Sequence, residues 1–199
     1  MEGLCGPEDP SSGPSTLTPG VDDGAVTALV LGGTAAMLLL NGLAAWWDIR
    51  SRTIPNLLVV GGAGVALAWR LLADGSLLDG SIGLGAGLAL GLGLFALGVL
   101  GAGDGKLIAA NGAFLGWSQL GPALLAMGVA GGVLALVTAT YRGRLGKALS
   151  GAGYAILYLV TLGRLGALPA QTGPDERPGL PYGVAIAAGA LATWFWRYL

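Results

Sequence analysis

The chain has 199 residues, 54% hydrophobic and only 11% charged, with a mean hydropathy of +0.72. Soluble domains carry about 25% charged residues, so this is the composition of an integral membrane protein. A net charge of −1 argues against the basic face of a nucleic-acid binder, the lack of histidine excludes His triads, ligands and relays, and the single cysteine, Cys5, excludes an internal disulfide or multi-cysteine zinc site.

Residues 1–23 are rich in Pro, Ser, Gly, Thr and acids and have no basic n-region. They read as a disordered polar tail rather than a signal peptide, ahead of a membrane domain at 24–199. Six apolar runs follow: Gly24–Trp47, Pro55–Leu72, Leu77–Leu100, Leu107–Trp117, Pro122–Thr140 and Leu180–Trp196. A bilayer core of about 30 Å needs roughly 20 such residues, so most of these runs can span and the fourth is short. A further run at 148–163, between Arg/Lys clusters, is expected to be an interfacial or partly inserted helix, leaving six or seven spans open. The expected fold is therefore all-α, a polytopic bundle of about six transmembrane helices.

Charge placement orients it. With an extracytoplasmic N-terminus, eight of the ten basic residues (Arg50, Arg52, Lys106, Arg142, Arg144, Lys147, Arg164 and Arg177) fall on the cytoplasmic side, and only Arg70 and Arg197 fall opposite. The acids Asp74 and Asp79 lie outside with the tail. Gly83, Gly87 and Gly91 recur every four residues and Gly128 pairs with Gly132, a spacing that lets membrane helices approach closely.

Two acids stand out. Asp48 closes the first run and opens WDIRSRTIPN, and Asp104 lies in GAGDGKL just after the third. A carboxylate at or near hydrocarbon is costly, so each is a functional candidate, and the orientation places both at the cytoplasmic surface. Gly101, Gly103 and Gly105 alternate around Asp104 and leave room for an extended chain. Span 4, from Lys106 to about Ser118, is limited at its far end by Gly121–Pro122, which draws Asp104 into the membrane margin. Its place near a helix N-terminus favours the anion. Thr53 and Pro55 are start signals for span 2, and Trp46 and Trp47 suit an interfacial belt.

WDIRSRTIPN followed by GAGDGKL resembles the prepilin peptidases, the GxGD membrane aspartyl proteases of type IV pilus, Tad pilus and type II secretion systems. LPYGVAIAAG, from Leu180 to Gly189, is similar to the start of that family's last span. The resemblance covers about residues 24–199. It implies Asp48 and Asp104 as catalytic, with Ile54, Pro55, Asn56, Gly101, Gly103, Gly105, Lys106, Leu107, Pro181, Tyr182 and Gly183 as supporting positions. It also implies a multi-pass protein of the inner (plasma) membrane that cleaves prepilins or pseudopilins bearing a basic leader and an apolar helix. No metal or organic cofactor is implied, and homo-oligomerisation stays open. The Cys-bearing cytoplasmic insertion of the longer, methylating members is missing, so the chain looks like the short Tad-type or archaeal-type form, expected to cleave without methyl transfer.

Two neighbouring carboxylates cannot both ionise cheaply, so one keeps a proton: the anion takes a proton from the attacking water and the acid donates to the developing oxyanion. A second reading is a small transporter or assembly subunit whose aspartates bind a cation. A hard cation wants more oxygen ligands than two carboxylates supply.

Overall fold

The computed structural model describes residues 23–73, 76–97, 99–141, 143 and 182–198. They form six helices: α1 Asp23–Ser51, α2 Asn56–Ala73, α3 Leu77–Ala96, α4 Ala102–Leu115, α5 Trp117–Tyr141 and α6 Tyr182–Tyr198. There is no strand among the described residues, and the protein is a helical membrane bundle. The expected tail ahead of residue 23, Cys5, the helix at 148–163 and Pro181 lie outside the described residues.

Among the described residues, four helices are long and apolar enough to cross a bilayer: Gly24–Ser51, Asn56–Ala73, Leu77–Ala96 and Trp117–Tyr141. Their outward side chains, such as Leu31, Leu39, Leu57, Leu72, Leu78 and Leu125, are apolar groups left exposed by the other described residues, a surface suited to lipid. Of the six spans expected, four are thus long enough, while α4, with 14 residues, and α6, with 17, are shorter than the roughly 20 residues a span needs.

The short helix is the centre of the bundle. α4 packs against all five other helices, and Gly105 and every residue from Leu107 to Leu115 are buried. Its 14 residues reach only about 21 Å. Protein therefore surrounds it where lipid would leave its ends unsatisfied.

The glycine spacing of α3 serves this packing. Gly83, Gly87 and Gly91 are buried against α4, where a Cβ on Gly87 would lie 3.0 Å from the Ala109 Cα and one on Gly91 would lie 2.6 Å from the Gly105 Cα. The expected pairing of Gly128 with Gly132 differs. Both are exposed, with nothing among the described residues within 4 Å of an added Cβ. α5 instead approaches α6 through Gly189, which sits on the Met127 backbone.

The far end of α4 is also corrected. The turn is at Gly116 (φ 78°), not at Gly121–Pro122, and Pro122 lies inside α5. Gly116 ends α4 as a left-handed residue whose N–H donates to Gly112 O at 2.8 Å. Pro122 is the sixth residue of α5, past the first turn, and has no N–H to give the Ser118 carbonyl, so the helix runs through it with one rung missing. Arg70, only 1% exposed, closes this end: Nε donates to Phe114 O at 3.1 Å and Nη2 to Leu115 O at 2.8 Å. Its Nη1 donates to Ser76 Oγ at 2.6 Å and Asp79 Oδ2 at 2.9 Å, while Asp79 Oδ1 accepts the Trp117 N–H at 3.1 Å. One guanidinium and one carboxylate thus satisfy the orphan groups of two helix ends.

Candidate active site

Asp48 lies within α1, which runs past the expected Trp47 to Ser51. Arg52 then adopts a left-handed conformation (φ 54°) and its N–H donates to the Asp48 carbonyl at 3.0 Å. This is the single-bond left-handed cap, carried by Arg rather than the usual Gly. It turns the chain sharply into Thr53–Pro55, and the Pro55 carbonyl accepts the Leu58 N–H at 3.1 Å to start α2. Ile54 reaches under α4, where a Cβ on Gly103 would lie 3.4 Å from the Ile54 Cβ.

Asp104 is in the first turn of α4, three residues before the buried run that starts at Leu107. Gly101 precedes the helix with extended backbone (φ −72°, ψ 152°), and a Cβ there would lie 3.1 Å from Asp104 Oδ2. Gly105 presses on the Gly91 backbone of α3, which draws the first turn inward.

The third wall is the start of α6. The Gly183 N–H donates to Asp48 Oδ2 at 2.7 Å, and a Cβ on Gly183 would lie 2.8 Å from that oxygen and 3.1 Å from Asp48 Cγ. Only glycine admits this approach. Tyr182 is half-buried within electrostatic reach of Asp104, and Arg52 is within reach of Asp48.

The two carboxyl groups come from helices far apart in sequence and share one end of the bundle. Burial first, and the neighbouring charge of Asp48 second, push Asp104 up to about 6 against an opposing backbone hydrogen bond at Gly101. The expected preference of a helix N-terminus for the anion is outweighed here, because the dipole term is small beside desolvation and a like charge.

The remaining motif positions divide. Lys106 Nζ donates to Asn56 Oδ1 at 2.9 Å, joining the two motifs at the exposed rim rather than pairing with an aspartate. Leu107 is fully buried in the core. Among the described residues, no group of three or more Asp, Glu, Cys or His residues is placed to share an ion. Two neighbours were not singled out in the sequence. Asn41 and Asn111, each fully buried, bond to one another below the aspartates. The available signal was a carboxamide inside each apolar run, seven residues from an aspartate.

The profile of the type IV leader peptidase family matches residues 35–136, a stretch that contains both aspartates and both of their motifs. That is just over half of the chain, and the chain belongs to this family of membrane-embedded peptidases. Among curated proteins and among solved structures, no match is found.

Proposed function

We propose that the protein is an aspartic endopeptidase of the inner membrane that removes the leader peptide of type IV-like prepilins at the cytoplasmic face. The observation that carries this reading is the juxtaposition of Asp48 and Asp104 at one end of the bundle, close enough for one charge to act on the other. The family supplies the substrate class, and the basic-residue bias supplies the side.

The geometry supports distinct roles. The Gly183 N–H aimed at Asp48 Oδ2 serves that oxygen best when it carries charge, which suits Asp48 to the anionic partner. Asp104, raised to about 6, suits the acid, and seating an apolar substrate removes water from it and raises it further. Asp48 takes one proton from water as the oxygen attacks the scissile carbonyl, and Asp104 gives its proton to the carbonyl oxygen. The gem-diol collapses as the proton held by Asp48 passes to the leaving amine and Asp104 recovers one from the diol. Atoms and charge balance with no covalent intermediate. The substrate's basic leader stays in the cytoplasm while its apolar helix lies against the bundle.

Asp48→Asn and Asp104→Asn keep side-chain shape and remove one proton-transfer partner each. Each is expected to abolish leader removal from a co-expressed prepilin, read as loss of the mobility shift, with membrane insertion intact. Near-normal processing by either variant refutes the assignment.

A further inference from the structure

Asn41 and Asn111 sit inside apolar helices at 0% exposure. Asn41 Nδ2 donates to Asn111 Oδ1 at 2.8 Å and to Met37 O at 3.0 Å. Asn111 Nδ2 donates to Asn41 Oδ1 at 3.1 Å and to Leu107 O at 3.1 Å. All four N–H donors of the pair are used, so the network is closed. Such reciprocity holds at one axial register: a slide of α1 along α4 by a single residue, about 1.5 Å, pulls the carboxamides apart.

The spacing ties this register to the aspartates. Asn41 precedes Asp48 by seven residues on α1, and Asn111 follows Asp104 by seven on α4. Seven residues make two turns, about 10.5 Å along the axis and only about 20° out of line. The two helices run in opposite senses here, so each aspartate lies one such step from its own asparagine and the steps end at the same level. Asp48 has a further tether, the Gly183 N–H. Asp104, on a helix that starts at Gly101, gets its height from α4 itself.

We infer that Asn41 and Asn111 are positioning residues: their reciprocal carboxamide bonds fix the register of α1 against α4 and so hold Asp48 and Asp104 opposite one another for catalysis. The inference rests on the proposed aspartyl reading. Neither amide touches the reacting atoms, and the pair acts by keeping the carboxylates within mutual reach. The groups facing Asp104 are Asp48 from α1 and Tyr182 from α6, and Arg52 acts on Asp48. Lys106, on the same helix as Asp104, is engaged with Asn56.

The test compares purified, lipid-reconstituted wild type with the double variant Asn41→Leu/Asn111→Leu, which leaves no amide unpaired in the core, and with Asn41→Gln, which keeps a carboxamide. For the double variant, kcat on a prepilin peptide should fall tenfold or more with KM within twofold. The basic limb of its pH profile should move to lower pH, because a more distant Asp48 charge raises Asp104 less. Asn41→Gln should recover at least part of kcat and of the limb position. A double variant with wild-type kcat and pH profile overturns the inference. So does failure of both it and Asn41→Ser/Asn111→Ser to accumulate as folded protein, since the pair would then be a folding determinant. Asp48→Asn and Asp104→Asn assayed alongside separate the two failures: if they stay active the aspartyl reading falls, and if they are dead while the double variant is normal only the register role falls.

Discussion

Gly183→Ala tests the coupling of α6 to the aspartates, because its cost falls on the geometry of the site more than on the fold. The new methyl group would stand 2.8 Å from Asp48 Oδ2 and 3.0 Å from Asp48 Cβ. Ordinary contact begins near 3.4 Å, so the carboxylate must retreat by about 0.6 Å. Oδ2 can swing away at the end of its side chain, but Cβ retreats only with the α1 backbone, so the stability cost falls within the roughly 1–3 kcal/mol typical of overpacking. The retreat is also expensive in rate. A displacement of about 1 Å at reacting groups costs on the order of 10²-fold, so about 0.6 Å should cost roughly tenfold in kcat. The 2.7 Å hydrogen bond to the Gly183 N–H lengthens at the same time, which weakens its hold on Asp48. Initial rates of leader removal against peptide concentration, in reconstituted protein, give kcat and KM separately. Thermal unfolding monitors the fold, and Gly42→Ala, at an exposed α1 position with nothing among the described residues within 4 Å of the added Cβ, is the control. A Gly183→Ala enzyme with kcat within twofold of wild type refutes the claim that this contact positions Asp48.

Asp104, raised to about 6 by burial and the Asp48 charge, is protonated below that pH and ionised above it. If it is the acid, kcat/KM should fall as pH rises through about 6, while the kcat limb lies higher because bound substrate dries the carboxyl further; a kcat/KM that climbs from pH 5.5 to 7 contradicts the role. Arg70→Leu leaves the Asp79 carboxylate, the Ser76 hydroxyl and the Phe114 and Leu115 carbonyls without the guanidinium. It should destabilise by about 3 kcal/mol, the low end for a broken buried pair because Asp79 is 33% exposed, as read by thermal unfolding in detergent. In a Cys5→Ser background, Ser51→Cys should be labelled by an impermeant thiol reagent only from the cytoplasmic side and Ser118→Cys only from outside. The opposite pattern overturns the orientation and the side of cleavage.

Composition and run length were enough for the helical bundle, because lipid allows few other ways to satisfy a backbone. The largest error lies at one helix end. The run Leu107–Trp117 read as a short fourth span with its break at Gly121–Pro122, since proline is the stronger local punctuation. The break is at Gly116 because an Arg70–Asp79 pair, reaching from α2 and α3, makes a left-handed turn there the well-satisfied one. No local pattern carries that, as the partners are brought together only by packing. Gly128 and Gly132 illustrate the converse: the spacing matched Gly83–Gly87–Gly91, but spacing does not say which face of a helix meets a neighbour.

The candidate site divides along the same line. Both aspartates were legible because charge in apolar sequence is conspicuous whatever the fold. Gly183 was legible only as part of a motif, and its work for Asp48 depends on α6 delivering one N–H to a carboxylate 135 residues earlier. Asn41 and Asn111 were passed over because a lone amide in a long apolar run is cheap enough to be incidental. Their weight comes from meeting, with every donor used. A buried polar pair that is fully satisfied at one register and broken at the next costs more to misplace than to keep. That is the property the proposed aspartyl mechanism needs, since its two carboxyl groups come from separate helices.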